Sequence, residues 1–339
     1  MLVPYLLGMF LAINMGGSGT GPSFSAAYGA NVIRKSLIPG LFGVMVFLGA
    51  VIAGSNTAST LGSDIINPSQ LNSVLVAVVF FSVSISLLIA NLAGIPQSTS
   101  QSTVCALIAP TVYFHTFNSN KIFYEIVPTW FILPIVAFII SFLLGKYIYK
   151  PLRRRGYTIS AKVNNSYLLK GLLIVLSLFV AFSIGANNVA NATGPLTQMT
   201  INFFDLEPGK YDWFISKFSI LIIAPCFAIG SSVFGHKIMR NTGKEIVLFG
   251  RIEAAIIAFI SASLLLFASL YKGIPSSLVQ LNVASIIGIG IAKLGVKNIF
   301  RKTQVRNFFF LWLVSPLVAF FISLFLVFLV DRYEILYLF

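Results

Sequence analysis

The sequence predicts an all-α polytopic membrane protein built from two inverted-topology repeats with broken helices and helical hairpins. Three observations carry that expectation. The composition is 57% hydrophobic and 9% charged, with a mean hydropathy of +0.92, against about 45–50% apolar and 25% charged in soluble domains. Small polar runs interrupt the apolar segments, above all Gly185-Ala186-Asn187-Asn188-Val189-Ala190-Asn191-Ala192-Thr193-Gly194-Pro195. One hairpin motif occurs twice, as Gly94-Ile95-Pro96-x-Ser98-x-x-Gln101 and as Gly273-Ile274-Pro275-x-Ser277-x-x-Gln280.

At 339 residues and about 20 per span, roughly ten helices or half-helices fit in one bundle, with no stretch left for a soluble domain. The net charge of +14 suggests nucleic acid at first sight. Its basic residues, however, sit in short loops between apolar segments and read as topology signals, so no nucleic-acid partner is expected. Cys105 and Cys226 lie in apolar surroundings, which points to packing rather than a disulfide or a metal. No metal or cofactor is expected. Met1–Ala12 lacks a basic leader and a small-residue cleavage pattern, and reads as part of the first helix rather than a signal peptide.

Taken in order, residues 1–33 read as one interrupted segment: Leu2–Ala12, the polar run Asn14–Ser23, then Phe24–Ile33, closed by Arg34 and Lys35. Small residues let backbones approach, Gly and Pro interrupt helices, and polar side chains offer hydrogen bonds that hydrocarbon lacks. Leu37–Ala53 is the second span, and the loop Ser55–Gln70 after it holds no Lys or Arg. The positive-inside rule puts that loop outside and the Arg34-Lys35 turn in the cytoplasm. Leu71–Leu92 then leads to the first Gly-Ile-Pro turn and the apolar run Val104–Phe117. Pro96 stops one helix and Ser98 or Thr99 caps the next, leaving its first N–H groups free to face a ligand. Ile122–Tyr149 crosses to the basic loop Lys150–Arg155, which is placed in the cytoplasm.

The second half repeats this plan. A helix from Tyr167 enters the Gly185 run and continues to Phe203, followed by a loop with Asp205, Glu207, Lys210 and Asp212. Trp213–Gly235 ends at a basic turn, His236–Lys244; Ile246–Leu270 meets the second Gly-Ile-Pro turn; an apolar run reaches Ala292; and the basic loop Lys293–Arg306 precedes a last span, Asn307–Val330. Counting spans puts the loop after the first hairpin outside and the one after the second inside. The halves are therefore expected to be inverted: residues 1–150, a basic cytoplasmic loop 151–166, and residues 167–339. Inverted repeats with helices broken near the middle are the usual build of a secondary transporter in the cell membrane, with the substrate held at the repeat interface.

These motifs resemble, over essentially the whole chain, the inorganic phosphate transporter (PiT) family, whose signature GANDVANA in each half is followed by G-[LI]-P-x-S-T-T-H. Gly185–Ala192 reads GANNVANA, with Asn188 at the family's Asp. Gly16–Ser23 reads GGSGTGPS, with Ser18 at the first Asn, Gly19 at the Asp and Pro22 at the second Asn. Gln101 and Gln280 stand at the family's His. With both signature carboxylates gone, the chain resembles the CysP-type sulfate permease branch of the family. The resemblance implies an anion transporter and a homodimer. It also implies that sodium coupling, which in phosphate transporters of the family uses the acidic motif residues, is weak or absent here.

Charge chemistry points the same way. Phosphate near neutral pH carries a proton it can donate to a carboxylate, whereas sulfate only accepts, so a sulfate site calls for donors without acids. The four motifs hold no Asp or Glu. The substrate-binding residues expected from them are Ser18, Gly19 and Thr20; Ser98, Thr99, Ser100 and Gln101; Asn187, Asn188 and Asn191; and Ser276, Ser277 and Gln280. Four helix breaks, each opening an N-terminus worth about half a positive charge, would nearly match a dianion.

Proton coupling is the natural replacement for sodium, with Glu253 as its carrier; the alternative is that Glu253 pairs with Arg251 near the interface. Lys272 reads as snorkelling to the interface, with a reach to the substrate left open. His115 and His236 read as helix-end residues. An intramembrane enzyme would need clustered acids that the motifs lack, so catalysis is not expected. The expected function is proton-coupled sulfate import, with thiosulfate left open; a sodium-coupled phosphate transporter and a passive anion channel are the alternatives.

Overall fold

The computed structural model describes residues 1–94, 97–117, 119–149, 151, 166–207, 209–244 and 250–335. The expected helix stop at Pro96, the basic loop apart from Pro151, and residues 246–249 of the expected Ile246–Leu270 span lie outside them. Among the described residues there is no strand, and eight helices are long and apolar enough to cross a membrane.

The first half runs α1 (Leu2–Gly29), α2 (Ile38–Ala53), short turns of helix over Ser55–Asp64, α3 (Ser73–Ala93), α4 (Thr99–Tyr113) and α5 (Val127–Leu143). The second runs α6 (Tyr167–Asn188), α7 (Ala190–Phe203), α8 (Asp212–Lys244), α9 (Arg251–Lys272), α10 (Leu278–Leu294) and α11 (Thr303–Arg332). As expected, Ser98 caps α4, its hydroxyl accepting from Gln101 N, and the polar residues Thr99–Thr103 form the first turns of the helix. One end differs from the sequence reading. His236–Lys244 is not a turn: α8 carries straight through it.

The main correction concerns the small polar runs, which do not break their helices. α1 is continuous through Asn14–Ser23, and α6 and α7 are separated by Val189 alone, at helical φ −62° and ψ −33°. Gly costs a helix about 1 kcal/mol and Pro about 3 kcal/mol. In hydrocarbon an unpaired backbone group costs several kcal/mol, so keeping the helix wins.

The glycines serve close packing instead. A Cβ on Gly16 would sit 2.3 Å from the Phe227 carbonyl oxygen, and one on Gly230 1.8 Å from that of Ile13, which locks α1 against α8. Gly185 against Val46 and Gly49 against Phe182, both at 2.0 Å, do the same for α6 and α2. Small residues at contacts of this kind are how membrane helices approach.

Each hairpin consists of a full-length helix, a tight turn and a shorter returning helix. Gly94 and Gly273 take left-handed φ of 75° and 61° at the turns, a conformation that favours glycine. The α9 start is tied to α1 by Arg251 Nη2 donating to Ala30 O at 3.0 Å, while its end meets Asn56, whose amide donates to Leu270 O at 2.9 Å. Lys237, on the α8 stretch that sets His236 edge-on against Tyr28 near the end of α1, donates to the Leu92 carbonyl beside the other turn. The two turns therefore lie towards opposite ends of α9, and the starts of α4 and α10 meet between them.

Candidate anion site between the two hairpins

The sequence places an N-capping serine before each returning helix, and the structure uses both: Ser98 Oγ accepts from Gln101 N at 3.4 Å and Ser277 Oγ from Gln280 N at 3.3 Å. This leaves the N–H groups of the first two residues of each helix, Thr99 and Ser100, Leu278 and Val279, outside the helical ladders, as at any helix N-terminus. Thr99, Leu278 and Val279 border a small cleft together with Ser277, Ser18, Gly19, Pro22, Gln97, Ile184 and Asn188. Its volume is about 10 Å³, at the lower limit for one water. An oxyanion therefore requires the hairpins to part.

Of the expected residues, Ser18, Gly19, Thr99, Asn188 and Ser277 border this cleft. The others, Thr20 excepted, stand around it as a frame. Asn187, fully buried, accepts from Ser100 Oγ (3.3 Å) and Ser276 N (3.0 Å) and donates to Ser269 Oγ (2.8 Å) and Ile274 O (3.0 Å), holding both hairpins at once. Asn191 donates to Ser100 Oγ at 3.2 Å. Ser276 Oγ is buried with no hydrogen-bond partner among the described residues. In the first half, Ser18 Oγ donates to Asn91 Oδ1 at 2.9 Å, a tie to α3 that parallels the one from Asn187 to α9. Thr20 turns away from the cleft: its hydroxyl donates to Gly16 O at 2.7 Å and its side chain packs against Gly235 of α8.

Gln101 and Gln280 meet each other. Each amide donates to the other's carbonyl, with Gln101 Nε2 3.2 Å from Gln280 Oε1, and both are buried. Removing one partner leaves the other's buried amide unsatisfied, a cost of about 1–3 kcal/mol, whereas removing both is nearly neutral. Gln280→Leu should therefore lower the thermal midpoint in detergent, and adding Gln101→Leu should recover most of the loss; a double variant that falls by the sum of the two singles would show that the pair does not act as a unit.

Gln97 escaped the sequence reading, which treated it as the variable residue of the hairpin motif. It is 4% exposed; Ser315 donates to its Oε1, and its Nε2 is buried without a hydrogen-bond partner among the described residues. Leu278 and Val279 were also missed, because their contribution is backbone; the rule that a capped helix N-terminus attracts anions points to them whatever their side chains. Asn188 donates from Nδ2 to Thr99 Oγ1 at 3.1 Å, and its Oδ1 has no hydrogen-bond partner among the described residues. A half-turn of this amide keeps the Thr99 bond, the hydroxyl now donating, and presents the NH₂ to the cleft.

The electrostatics are weaker than four breaks would supply. Only α4 and α10 present N-termini, together about one positive charge, so a dianion depends on the amide and hydroxyl donors for the rest. Lys272 does not reach the cleft. It is half-exposed and lies 3.7 Å from Glu125. Glu253 is buried and is not paired with Arg251: its Oε1 meets Lys293 Nζ, and its Oε2 accepts from Gly250 N. Among the described residues no cluster of His, Cys, Asp or Glu could hold a metal ion.

Three comparisons with known proteins bear on the family and the fold of the chain. A sequence model of the phosphate transporter family matches residues 15–323. The chain is 34% identical to the sulfate permease CysP of Bacillus subtilis over 98% of its own length and 90% of that protein. A solved structure described as the sodium-dependent phosphate transporter shares the fold, with a TM-score of 0.83, 21% identity and 98% of each chain covered.

Proposed function

The chain belongs to the phosphate transporter family, and from that premise we propose that it is a secondary active sulfate importer, coupled to protons, holding the oxyanion between the two hairpins. One observation carries the substrate: among the described lining of the cleft there is no carboxylate, while Gln97 has a buried amide donor without a partner. A site made of donors suits an anion that can only accept. The name of the Bacillus subtilis relative supports the same reading. Hairpins whose turns lie towards opposite ends of α9 suit alternating access by inverted repeats, and a homodimer is proposed with it, as the family resemblance implies.

A second reading, sodium-coupled phosphate transport, is favoured by the unpartnered Asn188 Oδ1, which can accept a hydrogen bond from a protonated phosphate. Sulfate uptake into proteoliposomes under proton and sodium gradients imposed one at a time separates the two. Uphill accumulation driven by the proton gradient alone is expected, with little competition from phosphate. Accumulation driven only by sodium and blocked by phosphate would favour the second reading, and equilibration without accumulation would mean a channel.

Glu253 is the proposed proton carrier. Its pairing with Lys293 ties the start of α9 to the end of α10, and protonation would remove the charge that holds this tie. Glu253→Gln is expected to flatten the dependence of uptake on pH while sulfate still binds. An unchanged pH profile would assign the pair a purely structural role.

A further inference from the structure

A second cavity, of about 300 Å³ and lined by both polar and apolar residues, opens where the turns of Ser55–Asp64 cover the last half of α7 and the start of α8. We infer that it is an outer anion-holding vestibule, in which Lys217 and a bank of hydroxyls bind a tetrahedral oxyanion dianion before it reaches the hairpin cleft. The inference rests on the transport reading above.

Ser55, Ser59 and Ser63 recur at four-residue spacing, which brings them to one side of a helical segment, and all three line the cavity with Thr197, Ser216 and Lys217. Lys217 sits in the span Asp212–Met239, where a lysine is costly unless it has a task. Its Nζ donates to Val51 O at the end of α2, which holds it in place without cancelling its charge. Thr197 Oγ1 is buried with no hydrogen-bond partner among the described residues.

Two acids are close. Asp212 lines the cavity and accepts from Gly209 N at 3.0 Å; Asp64 is paired with Lys121 at 3.4 Å. Trp213 marks the membrane boundary at the rim. The lining also includes Gly194, one turn beyond Asn191. Ala58 and Gly62 close over Gly194, with Gly62's Cβ position 2.8 Å from its carbonyl, so the Ser55–Asp64 segment packs directly on the end of the signature run. The cavity's volume of about 300 Å³ against about 10 Å³ for the cleft makes it the place where an anion fits while the hairpins are together.

The test titrates sodium sulfate against the purified full-length protein in neutral detergent and reads intrinsic fluorescence, with Trp213→Phe expected to remove the response. Asn188→Asp serves as the background that disables the hairpin cleft. In that background the response should persist, and Lys217→Gln should shift its midpoint at least about tenfold, as expected for losing a charged hydrogen-bond donor. Lys217→Arg, which keeps the charge should Gln impair folding, is expected to retain the response. An unshifted midpoint in Lys217→Gln, or a response abolished by Asn188→Asp, would overturn the inference. So would a response to phosphatidylglycerol in mixed micelles with none to sulfate, which would assign the cavity to a lipid headgroup. A Lys217-dependent response to phosphate in place of sulfate would support the vestibule while failing the substrate reading.

Discussion

Asn188→Asp is expected to lower the initial rate of sulfate uptake in proteoliposomes at least about a hundredfold, with the protein still folded. Two unit charges 4 Å apart repel by about 4 kcal/mol at an effective dielectric of 20, and a dianion doubles the term. Each 1.4 kcal/mol is a factor of ten, so a hundredfold is a conservative expectation even after screening. Folding should survive because a carboxylate at this position can still accept from the Thr99 hydroxyl, which now lies 3.1 Å from the Asn188 amide. Phosphate, which has a proton to donate, should be penalised less. Sulfate uptake within twofold of the unsubstituted protein would remove the electrostatic basis of the substrate assignment.

Gly185→Ala should yield no folded protein on detergent extraction and size-exclusion chromatography. The new Cβ would lie 2.0 Å from the Val46 carbonyl oxygen, and α2 has no room to draw back, because on its far side Gly43 already packs on α8, its Cβ position 2.6 Å from the Ala228 Cβ. Overpacking between flexible side chains costs about 1–3 kcal/mol; here the new Cβ meets backbone that cannot rotate away, and the cost exceeds that range. Gly171→Ala, in the same helix with nothing within 4 Å of its Cβ position, should elute normally. Equal recovery of the two variants would mean that α2 and α6 are not held this tightly.

The two glycine positions also mark the limit of sequence reading. The spans, the two hairpins and the capping serines were legible, because each rests on local physics: hydrophobic length, a turn glycine, a hydroxyl two to three residues from an open N–H. The runs at Gly16 and Gly185 were legible as special, yet their meaning as helix breaks was wrong. Lys217 went unread because one lysine in a long apolar window looks like a helix end until Ser59 and Thr197 are seen around the same cavity. Gln97 went unread because the hairpin motif leaves its position free.

The sequence by itself determined the membrane class, the order of spans and hairpins, and the loss of both signature acids, one to Asn188 and one to Gly19. In hydrocarbon each segment must satisfy its own backbone, so these features are written locally. Only the tertiary structure decided that the glycines pack helices rather than break them, that Gln101 and Gln280 pair with each other, that Thr20 turns away, and that Asn188 and Gln97 border the cleft. Those outcomes depend on what a helix distant in the chain presents within a few ångströms, and no local pattern of small or polar residues encodes that neighbour.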